Sequence, residues 1–316
     1  MARTWSRATL ALFLTAGVHV LGGCDGELTG GEASAPGGGG DDGEPGAGGG
    51  GGGGSGGSGA GSDSGSGSEP GGDAGAGDGG GGPAAGCGGS AVVCDDFEDA
   101  APGGPPDPAR WTVASPDCSG TGSLAVDGAE AHTGARSLRI DGAGGYCNHI
   151  FAASDSIAGI AGAVHGRFWI RPADPLGDGH VTFMAMRDAA ADSDVRMGGQ
   201  SRILMWNRER DDATLPELSP TGIGDTLPLT AGAWTCIELA VDGGAGTIAT
   251  SVDGAAVTGL VVDGQPTPDI DAQWLRDPSW RPDLADIRLG WESYGDQAMT
   301  LWIDDVAFGP DPLGCE

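Results

Sequence analysis

The sequence contains no lysine, and all 15 of its basic residues are arginines. Aspartate and glutamate together number 45, so the formal net charge is −30. Proteins that bind nucleic acids or anionic membrane surfaces without sequence preference need a basic surface. The charge therefore argues against both partners, and it favours a soluble protein with some capacity to bind cations.

Aromatic residues are scarce, and residues 25–86 lack them entirely. Of the 65 glycines, 30 lie between Gly30 and Gly86, where they are mixed with serine, alanine, proline and aspartate. Such a segment cannot bury enough apolar surface to offset the entropy lost on ordering. Residues 25–86 are therefore predicted to be a disordered tether. A phosphate-binding glycine loop is excluded, because no lysine follows the glycines.

The first 24 residues have the pattern of an export signal. Arg3 and Arg7 precede the apolar run Ala8–Val20, which is too short to span a membrane. The run ends at Leu-Gly-Gly-Cys24, which resembles the lipobox of bacterial lipoproteins, where the cysteine is lipidated and becomes the mature N-terminus. This implies an exported protein anchored to the cell envelope through Cys24. The alternative is an ordinary secretory signal with a coincidental cysteine.

No Cys-x-x-Cys pair and no cysteine–histidine cluster is present, which argues against a zinc site. Apart from Cys24, the chain has an even number of cysteines, as expected for disulfides in an exported domain. They are Cys87, Cys94, Cys118, Cys147, Cys236 and Cys315. Fifteen pairings are possible. Pairing near neighbours gives Cys87–Cys94 and Cys118–Cys147, and leaves Cys236 to pair with Cys315.

Residues 87–316 contain many short runs of strand-forming residues separated by Gly, Pro and Asp, the pattern of a β-sandwich or barrel. Stretches 157–162 and 189–194 are instead predicted to be short helices or loops. The predicted strands are Val92–Phe97, Trp111–Ala114, Ser123–Val126, Ala135–Ile140, His149–Ala152, His165–Arg171, His180–Arg187, Arg202–Arg208, Trp234–Val241, Thr247–Val252, Val257–Val262, Asp286–Glu292 and Met299–Phe308.

Two of these strands suggest a binding face. Along His165–Arg171, alternation puts histidine, arginines and tryptophan on one side, and Phe168 and Ile170 on the other. The strand Arg202–Arg208 repeats the pattern. Aromatic rings stack on sugars, and arginine binds carboxylates in a bidentate manner. The predicted ligand-binding residues are His165, Arg167, Trp169, Arg171, Arg202, Trp206 and Arg208. The alternative is that these arginines pair with nearby acids, such as Glu238, on a solvated sheet.

Five short motifs, in this order, resemble the concanavalin A-like lectin and glucanase superfamily, and in style its laminin-G-like and polysaccharide-lyase-like members. They are Cys94–Glu98 (CDDFE), Gly134–Ile140 (GARSLRI), Trp234–Glu238 (WTCIE), Val252–Gly254 (VDG) and Leu301–Val306 (LWIDDV). The resemblance spans residues 93–315. It implies an all-β jelly-roll sandwich of two curved antiparallel sheets that bind glycans on the concave face. Members include lectins, glycosidases, lyases and inactive domains, so the fold alone does not fix the function.

The resemblance also bears on catalysis. Glycosidases of the superfamily carry Glu-x-Asp-x-x-Glu on one strand, and this motif is absent. Its lyases use an uncharged or basic group to remove the proton next to a uronate carboxylate. His165 or His180 is the candidate base and Arg167 the candidate for charge neutralisation. We therefore favour a polysaccharide-binding module without an organic cofactor. A lyase acting on a uronate polymer is the alternative, and a non-catalytic adhesion protein is a third.

A structural calcium ion is also predicted. In jelly rolls the first and last strands often lie side by side, and such domains frequently hold calcium there. Calcium prefers carboxylate and carbonyl oxygens. The candidate ligands are Asp95, Asp96, Glu98, Asp304 and Asp305.

Overall fold

The computed structural model describes residues 89–115, 122–145, 148–218 and 229–315. The predicted signal, the predicted lipidation site Cys24 and the predicted tether lie outside these residues, as do Cys87, Cys118 and Cys147. Strands and three short 3₁₀ turns make up the regular structure of the described part. None of its segments forms a helix long and apolar enough to span a membrane.

The described strands are short and follow one another closely along the chain. Their bounds are β1 (Val93–Asp95), β2 (Thr112–Ala114), β3 (Ser123–Asp127), β4 (Ser137–Gly142), β5 (Asn148–Ser154), β6 (Ala163–Pro172), β7 (Val181–Asp188), β8 (Ser193–Gln200), β9 (Ile203–Arg208), β10 (Ala213–Leu215), β11 (Thr235–Asp242), β12 (Thr247–Val252), β13 (Ala255–Ala256), β14 (Ile287–Ser293) and β15 (Met299–Gly309).

The strands form two antiparallel sheets, which confirms the predicted jelly-roll sandwich. The first sheet has the order β13-β12-β11-β6-β15-β4-β3, with β1 paired to β15. The second has the order β10-β9-β8-β7-β14-β5-β2. Several neighbouring strands are consecutive in the chain, such as β7 to β10, but others are distant. Strand β15 pairs with both β1 and β6, so the two ends of the domain are held together by pairing.

Apolar side chains from both sheets meet in one core. Phe168 of β6 and Phe183 of β7 pack edge to face, with ring centroids 6.2 Å apart. Trp206 of β9 is fully buried, and its indole N–H donates to Thr250 Oγ1 of β12 at 2.9 Å. This bond joins the two sheets and satisfies the polar atom of a large buried ring.

Two longer segments differ from the sequence prediction, and the short strands β10 and β13 were not predicted either. The predicted strand at 257–262 contains instead the 3₁₀ turn Thr258–Leu260. The stretch expected to be a helix or loop at 189–194 runs into strand β8, which begins at Ser193. Gly259 interrupts the first run. In the second, Val195 and Met197 enter the core while Asp194 and Arg196 alternate with them, the expected period of a strand.

The first and last strands lie side by side, as expected for a jelly roll. Residues 93–95 of β1 pair with residues 306–308 of β15, while β4 pairs with residues 299–303. Strand β15 therefore changes partner at Asp304 and Asp305, where a bulge also interrupts its pairing with β6. Asp305 has a φ of 47°, in the left-handed region, which fits a bulge position.

A disulfide fixes the C-terminal segment. Cys236 of β11 and Cys315 are bonded, as the sequence predicts, with Cα atoms 6.0 Å apart. Cys94 is also disulfide-bonded. The bond between Cys236 and Cys315 holds residues 310–315 against the outer surface of the first sheet.

Candidate functional site

The outer surface of the first sheet carries the residues predicted on β6. Phe168 and Ile170 are fully buried in the core, and His165, Trp169 and Arg171 lie on the opposite side, partly exposed. The alternation predicted for this strand is therefore correct. Arg167 lies on the same outer side, but its exposed fraction is only 3%.

The polar and aromatic groups of these residues mainly form intramolecular contacts. Trp169 stacks on His132, with ring centroids 3.6 Å apart. Arg167 donates to the backbone carbonyls of Asp305 and Gly314, at 3.2 and 3.1 Å. Arg171 lies over the ring of Trp302 at 4.9 Å. The aromatic and cationic groups of this surface are thus engaged in packing and hydrogen bonds.

The interpretation of β9 as a second binding strand is wrong in orientation. Trp206 faces the core, and Arg208 lies on the same inner side with an exposed fraction of 1%. Arg202 precedes the strand in a turn with positive φ and forms an exposed ion pair with Asp178. Asn207 points to the outer surface instead. The prediction placed the wrong alternate residues of β9 on the outer surface, because both alternate sets of residues in this strand contain apolar side chains.

Three of the predicted calcium ligands lie near the start of the domain. Asp95 is buried and accepts from Trp111 Nε1 at 2.6 Å and from Arg110 Nη1 at 2.9 Å. Asp96 accepts from the backbone N–H of Glu98. Glu98 accepts from the backbone N–H groups of residues 135 and 136. The oxygens of Asp95 are therefore used by an internal ion pair.

Asp304 and Asp305 hold the loop around His132 and Thr133. Asp304 is fully buried and accepts from the backbone N–H groups of both residues. Asp305 accepts from Thr133 Oγ1 and pairs with His132 Nδ1 at 2.6 Å. Burial and the adjacent carboxylate of Asp305 raise the pKa of Asp304 to about 8. Within the described ranges, no three His, Cys, Asp or Glu side chains are grouped as metal ligands, and calcium stays a prediction.

A polar cluster that the sequence did not predict lies on the outer surface of the second sheet. We call it the second-sheet cluster, and it consists of His149, His180, Arg196, Asn207, Glu292 and Tyr294. At its centre, the Arg196 guanidinium donates to Glu292 Oε1 at 2.8 Å and to Tyr294 Oη at 2.6 Å. It also donates twice to Asn207 Oδ1, at 3.1 and 2.6 Å. These bonds use four of the five N–H groups of arginine.

The two histidines flank the ring of Tyr294. His180 stacks on it, with centroids 5.2 Å apart, and His149 meets it edge-on at 6.1 Å. His149 Nε2 is also 3.6 Å from Glu292 Oε1. Strands β5, β7, β8, β9 and β14, or the residues directly beside them, supply these side chains, so the cluster rests on the rigid centre of the sheet.

Burial sets the protonation states of the cluster. Burial and the positive charge of Arg196 lower the pKa of His180 to about 4, so its imidazole is neutral at neutral pH. Burial, together with the hydrogen bond to Glu292, raises the pKa of Tyr294, so its phenol keeps its proton. A neutral imidazole accepts a proton, and a protonated phenol donates one.

Two polar atoms at the cluster have unmet hydrogen-bonding capacity. Nε2 of His180 and Oγ1 of Thr182 are buried, and no residue in the described part of the chain provides a hydrogen bond to either. His180 stacks on Tyr294, and Thr182 is the Cα partner of Glu292 in the sheet. Both unpaired atoms therefore adjoin the cluster. Buried polar groups in folded proteins nearly always have partners. The arrangement is therefore suited to receiving a polar ligand.

The sequence analysis identified only His180 of this cluster as a candidate. Arg196 lies in β8, which the sequence analysis did not predict as a strand. Glu292 lies in β14, and Tyr294 follows this strand two residues later. This spacing puts both side chains on the same face, and it was the sequence signal that could have identified the pair.

A family model described as polysaccharide lyase-like, Cip1-like, core domain matches residues 96–310. The chain belongs to this family. The solved structure of cellulose induced protein, Cip1, is 39% identical, covers 71% of this chain and 100% of its own, and superposes with a TM-score of 0.65. Among curated proteins, none matches the chain.

Other solved structures are more distant from this Cip1-like domain. The binding domain of botulinum neurotoxin serotype G is 12% identical with a TM-score of 0.43, over 71% of this chain and 48% of that one. The CBM22-1 xylan-binding domain from Paenibacillus barcinonensis is 11% identical with a TM-score of 0.35, over 71% and 96% of the two chains. Of these three structures, Cip1 is the one similar enough to carry an argument, and with the family match it makes this a carbohydrate-related jelly-roll protein.

Proposed function

We propose that the second-sheet cluster is the substrate site of a polysaccharide lyase that cleaves a uronate-containing polymer by β-elimination. The observation that carries the proposal is the neutral His180, whose buried Nε2 has no partner among the described residues, beside Arg196 and Tyr294. Membership of a polysaccharide-lyase-like family supports the same reaction class.

In this reaction, His180 removes the proton from C5 of the uronate. The electron pair forms the C4=C5 double bond, and the C4–O bond to the neighbouring sugar breaks. The leaving oxygen takes the proton of the Tyr294 phenol. The remaining N–H of Arg196 stabilises the charge that develops on the carboxylate. A bound carboxylate would also raise the pKa of His180 and so strengthen it as a base.

A second candidate is binding without cleavage. It is favoured by Glu292, whose carboxylate compensates the charge of Arg196 at 2.8 Å and reduces the attraction for an anionic substrate. A neutral glycan would then use the polar groups and the Tyr294 ring, and no elimination would follow, because it lacks the acidic C5 proton of a uronate.

One experiment separates these candidates. The full chain is incubated with glucuronan, alginate, polygalacturonate, xylan and cellulose. Retention on the polymer and the ultraviolet absorbance of the C4=C5 product are both followed. We expect product from a uronate polymer, and retention without product for Tyr294→Phe. Retention of wild type with no product on any polymer would support the binding candidate. Neither signal would overturn both.

The anchor at Cys24 remains a sequence-based proposal that would place this site at the cell envelope. Metabolic labelling with palmitate in the native host tests it. We expect label in wild type and none in Cys24→Ala. An unlabelled wild-type chain would support the ordinary secretory signal.

A further inference from the structure

A second group of unpaired polar atoms lies away from the proposed substrate site, on the inner side of β9. Arg208 lies over the ring of Trp274, with its guanidinium carbon 5.0 Å from the centroid, and 5.9 Å from that of Trp280. The two tryptophans meet edge to face at 5.1 Å. The exposed fraction is 1% for Arg208, 1% for Trp274 and 3% for Trp280. The three side chains therefore form one buried cluster.

Each of these side chains has a donor without an acceptor. They are Arg208 Nη1, Trp274 Nε1 and Trp280 Nε1, and nothing in the described part of the chain accepts from them. The other nitrogens of Arg208 are engaged, with both oxygens of Asp211 at 2.7 Å and with the backbone carbonyl of Trp274 at 3.1 Å. Three unpaired buried donors on side chains that contact one another are unusual in a folded protein.

The chemistry of the three groups restricts what fills the gap. Indole and guanidinium nitrogens only donate hydrogen bonds. A water molecule would also bring two hydrogens of its own, and the three unpaired groups offer no acceptor for them. An anion needs only donors, so it matches the cluster better.

The surrounding charges agree with an anion. The hydrogen bond from Arg208 and the charges of Arg210 and Arg276 lower the pKa of Asp211. Arg210 is itself paired with Asp277. This group holds three arginines and two aspartates, although the folded region is strongly acidic. The adjacent Glu209 and Asp212 bond elsewhere, to the backbone N–H of Asp194 and to Asn207.

We propose that Arg208, Trp274 and Trp280 form a buried binding site for a small monovalent anion of halide size. The burial of the three side chains favours a small anion over a sugar or a peptide carboxylate. The anion would satisfy all three donors and balance the remaining arginine charge. It would connect β9 with the 3₁₀ turn Trp274–Arg276 and with the chain that follows.

The direct test uses bromide as the probe. Crystals of the full chain are soaked in sodium bromide, and diffraction is measured at the bromine absorption edge. We expect an anomalous peak within hydrogen-bonding distance of the three donor nitrogens. An ordered water in that place, with no bromide, would overturn the proposal.

The solution test compares the Tm of the full chain in sodium chloride and in sodium gluconate at equal ionic strength. A ligand that binds only the folded state raises the Tm with its concentration. We expect chloride to raise the Tm of wild type by a few degrees, and the increment to shrink in Trp280→Phe, which keeps an aromatic ring but lacks the N–H donor.

Trp302→Phe is the matched control, because the indole N–H of Trp302 already donates to Asp127. Its chloride increment should equal that of wild type, even if its Tm is lower. Equal chloride increments in Trp280→Phe and wild type would overturn the proposal.

Discussion

On the outer surface of the first sheet, Trp169 is covered by His132, and Arg167 donates to backbone carbonyls. On the outer surface of the second sheet, His180 has a buried nitrogen with no partner in the described residues, beside Arg196. Both surfaces combine histidine, arginine and aromatic side chains, yet among the described residues only the second surface has a buried polar atom without a partner. Residue type alone therefore does not identify a site, because the same residues serve as internal support when their polar atoms are satisfied.

The largest predicted difference between the two surfaces is in catalysis. His180→Ala removes the proposed base, and we expect the rate of product formation to fall by about 10²–10⁴-fold. His165→Ala, on the first sheet, should leave the rate within a factor of about two. The rates are measured from the absorbance of the unsaturated product. A larger loss in His165→Ala than in His180→Ala would reverse the assignment of the two surfaces.

The next prediction concerns stability. Arg167→Ala removes charge-assisted hydrogen bonds to Asp305 and Gly314 from a buried position, and we expect a loss of about 2–3 kcal/mol in the free energy of unfolding. Retention on polysaccharide should not change. Arg202→Ala is the control, since its ion pair with Asp178 is exposed, and it should cost less than about 0.5 kcal/mol. Denaturant unfolding measures both, and weakened retention with unchanged stability would restore the first sheet as a ligand surface.

Much of the fold was predictable because strand alternation and turn residues are local signals. The pattern of β6, the pairing of β1 with β15 and the bond between Cys236 and Cys315 agree with the structure. The orientation of β9 was not predictable from its own sequence, because Leu204 and Trp206 compete with an equally apolar alternate set. Tertiary packing decides which set enters the core.

The second-sheet cluster was beyond reach of local patterns for a different reason. Arg196 and Glu292 are 96 residues apart in the chain. They meet because β8 and β14 both pair with β7, which brings the two strands to either side of it. Alternation assigns a residue to one surface of a strand, but it does not say which strands are neighbours. A site assembled across several strands therefore needs the sheet order, which the sequence does not state.

The third prediction sharpens the contrast through pH. The pKa of His180 is lowered from 6.5 to about 4, so the unfolded chain binds more protons between these values than the folded chain does. The contribution of His180 to stability is therefore present above pH 6.5 and is lost as the pH falls towards 4. His180→Gln should show a shallower decline in its urea midpoint over this range. Equal slopes in wild type and the variant would contradict the neutral, buried state of His180.

The smallest expected effect is that of calcium on the first sheet. The pKa of Asp304 is raised from 3.8 to about 8, so without metal its contribution to stability falls as the pH rises between these values. Calcium would need the ionised carboxylate and would displace this proton. We therefore expect calcium to raise the Tm by a few degrees over EDTA, with an increment that grows from pH 6 to pH 9.

Two substitutions decide whether that increment belongs to the predicted site. Asp304→Asn should abolish it, because the amide cannot ionise. Asp95→Asn should lower the Tm through its bonds to Arg110 and Trp111 and yet keep the calcium increment, since the structure commits its oxygens to these partners. If both variants lose the increment equally, Asp95 is a ligand and must leave its ion pair when calcium binds. If neither loses it, calcium binds elsewhere, and the acids of β15 serve only to hold the loop at His132 and Thr133.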